Sequence, residues 1–189
     1  MRLASGGCPT EVPLLYFQSY MAREALPMRF HLIDRIDGFE RGKSLRAAKF
    51  LALGEEYLAD HFPQFPIMPG VLMLQATVEA ASYLWRASTD FQHPVIVLRE
   101  VKNVKYGSFM QPGRRMDVAV ELVKHDATTA TFKGKGTDDS GQSTVTAQFV
   151  LHGYSLADRG TAGVAADAKL LEHWKSRWDL LTGELKAKR

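Results

Sequence analysis

Cysteine is almost missing from this sequence, since its 189 residues include only one, Cys8. A single cysteine forms no disulfide within the chain and builds no cysteine-based metal site. The histidines are scattered without the spacing of metal ligands. The sequence therefore predicts a protein without a bound metal, working in a reducing cytoplasm.

Long apolar runs and a dominant charge are missing as well. The longest mainly apolar stretch, residues 71–85, is shorter than the roughly 20 residues that cross a bilayer. Lysine and arginine number 24 against 21 aspartate and glutamate, a net charge of +3. That excess is too small to indicate nucleic-acid binding. We expect a globular protein with neither a membrane span nor a nucleic-acid partner.

The chain divides by composition into three parts. Glycines and prolines interrupt residues 1–27, which we interpret as an irregular lead-in, either an upstream segment or part of a protease-cleavable linker. Residues 28–154 have the apolar periodicity of one domain. Residues 155–189 are predicted to be a linker, rich in small residues over 156–168, followed by a basic helix over 170–186. We expect this helix to dock on the domain.

The periodicity inside the domain predicts strands on both sides of one helix. Residues 70–86 are apolar almost all round, as in a helix buried in a core. Alternating apolar residues predict two strands before the helix and four after it. The order favours an α+β fold in which an antiparallel sheet wraps around the helix.

A histidine lies in a stiff loop just before this helix. Pro63, Pro66 and Pro69 restrict the backbone, so the loop holds His61 in one place. Gly70 begins the helix, where free N–H groups favour a developing negative charge. A carbonyl oxygen bound there is polarised, and His61 becomes a candidate base for a neighbouring proton. The alternative is a packed loop whose histidine only binds a buried carbonyl.

The string at residues 61–72, HFPQFPIMPGVL, resembles the signature of 3-hydroxyacyl-(acyl-carrier-protein) dehydratases of the FabA/FabZ type. The resemblance extends over residues 28–154. It implies a hotdog fold, a long central helix wrapped by a curved antiparallel sheet, built as a dimer. It also implies elimination of water from a (3R)-3-hydroxyacyl thioester in fatty-acid or related lipid or polyketide synthesis. No cofactor is implied beyond the phosphopantetheine arm that carries the substrate.

The resemblance also implies roles for single residues. His61 matches the catalytic histidine, and Gly70 matches the glycine whose N–H polarises the thioester carbonyl. Phe62, Pro69 and Val71 are then expected beside the substrate.

The second catalytic position of the family departs from its pattern. Where a Glu or Asp is usual, this chain has Gln75, and one helical turn later, where Gln is common, it has Glu79. Three interpretations follow. Glu79 supplies the acid through a water held by Gln75, or Glu79 activates water in a thioesterase, or the site binds acyl chains without turnover. The retained His61 loop favours the dehydratase.

Two partners are predicted. The apolar central helix and the resemblance imply a homodimer or a multiple of it, with His61 of one chain near Glu79 of the other. Residues 99–115 hold five cationic side chains and one glutamate, Glu100, a local excess of four. This stretch is either a solvated strand edge or a docking surface for an acidic carrier protein; coenzyme A is the alternative carrier. The cations are Arg99, Lys102, Lys105, Arg114 and Arg115.

Overall fold

The computed structural model describes residues 31–183 and residue 185. This part of the chain contains six strands, two long helices and two short 3-10 turns. The order of two strands, one helix and four strands agrees with the prediction. The strands are β1 (Arg35–Glu40), β2 (Ser44–Phe50), β3 (Val95–Tyr106), β4 (Arg115–His125), β5 (Thr129–Asp138) and β6 (Ser143–Tyr154). The helices are α1 (Gly70–Ser88) and α2 (Thr161–Leu181), and the 3-10 turns are Glu56–Leu58 and Ala157–Arg159.

All six strands form one antiparallel sheet in the order β1-β2-β4-β5-β6-β3. The glycines and polar side chains at residues 41–43 and 138–141 predict hairpin turns, and the structure confirms both. Gly42 adopts φ 69° between β1 and β2, a conformation that glycine reaches without strain. Between β5 and β6, the Asp138 carboxylate accepts hydrogen bonds from the N–H groups of Ser140 and Gln142. Strand β3 lies at one edge of the sheet and β1 at the other.

Helix α1 lies against the sheet and forms the core, as its sequence predicts. Its side chains from Ala76 to Ala87 are buried. The approach to β5 is close because Gly134 has no side chain: a Cβ there would lie 2.9 Å from the Cβ of Thr77. Behind it, the rings of Phe132 and Phe149 stack at 6.0 Å. The predicted arrangement of a sheet around one buried helix is confirmed.

The first strand begins later than predicted. The alternation of apolar residues from 29 onward favours a strand there, yet residues 31–34 adopt no regular structure and β1 begins at Arg35. The reason is a competing acceptor, since the Glu79 carboxylate binds the N–H groups of Leu32 and Ile33. The predicted lead-in, residues 1–27, lies outside the described residues.

The C-terminal helix begins earlier than predicted. Residues 161–168, interpreted as linker from their small side chains, are the first turns of α2. Alanine favours helix intrinsically, and the Asp167 carboxylate secures the junction by accepting from the N–H groups of Leu156 and Ala157. Only the residues before Thr161 connect β6 to the helix.

Helix α2 docks on the domain through its two tryptophans, as expected. The Trp174 ring lies 6.0 Å from the Tyr83 ring, and the Arg86 guanidinium sits 4.2 Å from the Trp174 centroid. Trp178 packs edge-on against Phe39 at 5.1 Å. The tryptophans therefore fix α2 to α1 and β1. Of the helices that the structure describes, none is long and apolar enough to cross a membrane.

Candidate active site

The imidazole of His61 is held by the loop that it begins. Its Nδ1 lies 3.0 Å from the carbonyl oxygen of Ile67. A carbonyl only accepts hydrogen bonds, so Nδ1 carries the proton and Nε2 of the neutral ring keeps a free electron pair. The Phe62 ring stacks on the imidazole at 4.4 Å. The structure thus presents His61 in the tautomer that a general base requires.

The loop carries this histidine to the N-terminus of α1. The N–H of Met68 donates to the carbonyl of Met110 at 2.8 Å, which ties the loop to the segment after β3. The first N–H of the helix that forms a backbone hydrogen bond of the helical kind is that of Leu72, which donates to the carbonyl of Pro69 just before α1. A helix that begins at Gly70 leaves the N–H groups of Gly70 and Val71 without an acceptor in the helix. They can bind a carbonyl oxygen.

Tyr106 lies against this helix end, and the sequence did not indicate it. A Cβ on Gly70 would lie 3.1 Å from two atoms of the Tyr106 ring, so any larger residue there would push the ring away from the helix end. Phe109 follows on the same segment and meets Phe65 edge-on at 6.3 Å. With Phe62 these aromatic side chains are about half exposed or more, an unusual concentration of apolar surface around one loop. The two aromatic residues in the string Tyr106-Gly107-Ser108-Phe109 were the signal available in the sequence.

Gln75 lies on the exposed side of α1. Val71, one turn before it, is 66% exposed, and residues four apart share a helix face. Val71 and Gln75 are the exposed side chains in the first two turns of α1, and Gln75 is the polar one. The structure therefore places an amide where it is accessible from the end of the helix that carries Gly70.

Glu79 lies one turn further along and is only 7% exposed. Its Oε2 accepts hydrogen bonds from the N–H of Leu32 at 2.7 Å and of Ile33 at 3.3 Å. Its Oε1 lies 3.4 Å from Nδ1 of His31. The carboxylate is thus enclosed within its own subunit, whereas Gln75 is exposed. The position that is usually acidic in the family thus holds an exposed amide, while the carboxylate of this chain is buried one turn away.

The surroundings of Glu79 form a joint between three segments. Burial raises the pKa of Tyr83 to about 12, and the nearby charge of Glu79 adds to this effect. Burial lowers the pKa of Arg86 to about 10, which leaves the guanidinium charged at neutral pH. Arg177 of α2 donates to the carbonyl of Ile33 at 3.3 Å. Helix α1, residues 31–33 and α2 are therefore joined through polar groups around one carboxylate.

The cationic stretch at 99–115 is partly neutralised. Lys102 pairs with Glu100 at 3.0 Å, and Arg114 pairs with Asp139 at 2.9 Å. Arg115 binds Asp37 and Asp117. Arg99 and Lys105 form no ion pair with a described residue. Among residues 31–183 and 185, no three histidine, cysteine or acidic side chains are grouped to hold a metal ion.

A six-stranded antiparallel sheet wrapped on one helix, with a histidine loop at the start of that helix, defines a hotdog-fold protein. The fold is shared with the dehydratase heterocomplex ApeI:P from Xenorhabdus doucetiae, at a TM-score of 0.56 and 14% identity over 71% of this chain and 87% of that one. Residues 25–147 match the FabA-like domain. The chain belongs to this family, as the motif predicts.

Curated relatives agree with the family match. The chain is 36% identical over 132 residues to the 3-hydroxyacyl-[acyl-carrier-protein] dehydratase FabZ of Blochmanniella pennsylvanica (strain BPEN), covering 68% of this chain and 86% of the relative. It is 38% identical over 115 residues to the FabZ of Pectobacterium atrosepticum, covering 59% and 76%. The family match over residues 25–147 contains both the His61 loop and α1.

Proposed function

We propose that the protein is a dehydratase that converts (3R)-3-hydroxyacyl thioesters to trans-2-enoyl thioesters, in fatty-acid or related lipid or polyketide synthesis. The observation that carries the proposal is the His61 imidazole, with its proton held on Nδ1 and its Nε2 free, in the loop that leads to the start of α1. The FabZ relatives support the same reaction.

The proposed chemistry begins at the thioester carbonyl. Its oxygen accepts hydrogen bonds from the N–H groups of Gly70 and Val71, and the helix dipole stabilises the negative charge that develops there. The polarised carbonyl acidifies the proton on the adjacent carbon, which Nε2 of His61 removes. Phe62 and Pro69 lie beside the substrate. The reaction needs no metal or redox cofactor, because the substrate brings its own activating thioester.

The complete site requires a second copy of the chain, in a homodimer or a multiple of it. Edge strand β3 exposes Val97 and Leu98, and the start of α1 exposes Val71. Apolar residues along an unpaired strand are normally covered by a partner. In the dimer, the partner covers the exposed start of α1 beside the His61 loop. A stable, folded monomer in ultracentrifugation at micromolar concentration would contradict this assembly.

An acidic carrier protein is the proposed donor of the substrate, with coenzyme A as the alternative, and the reaction is proposed to occur in the cytoplasm. Arg99 and Lys105 are the cations of the 99–115 stretch available to steer it. Reversing Arg99 to glutamate is expected to raise KM for carrier-bound substrate several-fold at low salt, without changing KM for a pantetheine thioester. Arg114→Glu is the matched control, since Arg114 already pairs with Asp139. Equal effects on both substrates would exclude the docking role.

The reaction itself is tested by following two products at once. Purified protein is mixed with 3-hydroxyacyl and saturated acyl thioesters of pantetheine, while enoyl absorbance and free thiol are recorded together. We expect enoyl formation from the 3-hydroxyacyl thioester and no thiol release. Thiol release without enoyl would identify a thioesterase, and neither product would identify a protein that only binds acyl chains.

A further inference from the structure

Glu79, the carboxylate closest in sequence to the family's acid position, already accepts hydrogen bonds from the backbone. Glu79 accepts hydrogen bonds from two backbone N–H groups, at 2.7 Å and 3.3 Å, and is 7% exposed. To protonate a substrate, this carboxyl group would have to turn away and leave both donors buried without an acceptor. An unpaired buried N–H carries the full cost of its lost hydration. Glu79 is therefore poorly suited to deliver a proton.

Gln75 is the polar group that remains at the site. It follows Gly70 by five residues, about 7.5 Å along the helix axis, and helical side chains lean back toward the N-terminus. Its amide is consequently directed toward the helix end where the thioester carbonyl binds. An amide both donates and accepts hydrogen bonds, so it can hold a hydroxyl group. It has no ionisable proton to give.

The imidazole that acts as the base is itself able to give a proton back. Once Nε2 has taken a proton, the imidazolium is an acid as well as the product of the first step. The Ile67 carbonyl continues to accept from Nδ1–H at 3.0 Å, which orients and stabilises the charged ring. A base held in this way can return the proton without changing its position.

We infer that His61 performs both proton transfers and that Gln75 holds the departing hydroxyl, an inference that rests on the proposed function. Nε2 takes the proton from carbon 2 of the substrate, and the electron pair of that C–H bond becomes an enolate held by the N–H of Gly70. The pair then forms the double bond between carbons 2 and 3 as the bond from carbon 3 to oxygen breaks. The same proton passes from Nε2 to the departing oxygen, which leaves as water, and His61 ends neutral.

The pH dependence of kcat/KM distinguishes one proton-transferring group from two. A separate acid must be protonated, so its loss of a proton gives a falling limb at high pH. A single imidazole needs only to start neutral, so the rate rises as it loses its proton and then stays level. We expect this one-limbed profile between about pH 5 and pH 9 for the unaltered protein.

Four variants complete the experiment. Gln75→Glu places a carboxyl group at the site and is expected to add a falling limb, whereas Gln75→Ala is expected to lower kcat about tenfold and keep the single limb. Glu79→Gln and Asp60→Asn, the latter an exposed neighbour of His61, are expected to keep the single limb.

A falling limb in the unaltered protein would overturn the inference. If that limb disappeared in Glu79→Gln, the acid would be Glu79, and if it disappeared in Asp60→Asn, the acid would be Asp60. The measurement on the unaltered protein decides the question even if a variant fails to fold. Absence of enoyl product at every pH would instead contradict the proposed function, so the two failures are distinguishable.

Discussion

His61→Asn is expected to lower kcat/KM for dehydration by a factor on the order of 10³ to 10⁴. General acid–base catalysis by one side chain contributes about 10² to 10⁴, and here a single imidazole serves both transfers, which favours the upper part of that range. Asparagine keeps a polar group in the loop but cannot take up a proton. The measurement is the initial rate of enoyl formation at several substrate concentrations.

The fold should survive this change. The side chain of His61 contributes a hydrogen bond to Ile67 and a stacking contact with Phe62, both in a partly exposed loop. Circular dichroism is expected to match that of the unaltered protein. His125→Asn, at an exposed position at the end of β4, is the control and should leave the rate unchanged. If His61→Asn retained a tenth or more of the activity, a catalytic role of His61 would be excluded.

Glu79→Ala is expected to destabilise the protein by about 3 kcal/mol. The alanine leaves the N–H groups of Leu32 and Ile33 buried without an acceptor, at a cost of about 1–3 kcal/mol for each lost partner. It also frees His31 from its contact with the carboxylate. Urea unfolding at a fixed protein concentration measures the change in the free energy of unfolding, because a dimer's stability depends on concentration.

Two further variants define the role of Glu79. Glu79→Gln keeps one oxygen acceptor, so its loss of stability should be smaller, about 1 kcal/mol. Glu121→Ala, at an exposed position on β4, is the surface control and should change stability by less than about 0.5 kcal/mol. A Glu79→Ala protein that unfolds like the unaltered one, yet has lost its activity, would assign Glu79 to catalysis rather than to the joint.

The elements that the sequence predicts well are those whose signals are local. Helix α1 follows from Pro69, Gly70 and the continuous apolar run after them, and the turn at Asp138 follows from its polar cluster. The first residues of α2 were misjudged because small side chains occur both in linkers and in helices. Their helical state depends on the Asp167 junction, whose partners lie ten or more residues earlier.

The site divides in the same way. His61 and Gly70 belong to one contiguous string, so their proximity could be predicted. The environment of Glu79 depends on residues 47 and 46 positions away in the chain, whereas helical spacing indicates only that Glu79 lies one turn from Gln75. Tyr106 reaches Gly70 through the packing of β3 and has no motif of its own. Tertiary contacts of this kind leave no periodic trace in the sequence.

Hydration in water labelled with oxygen-18 tests the central claim most directly. Elimination is reversible, so the protein incubated with a trans-2-enoyl pantetheine thioester should add water across the double bond. Mass spectrometry is then expected to find the label on carbon 3 of an intact 3-hydroxyacyl thioester, and His61→Asn should abolish that incorporation. A label found instead in the carboxylate of a free acid, with the thiol released, would contradict the assignment of this site to dehydration.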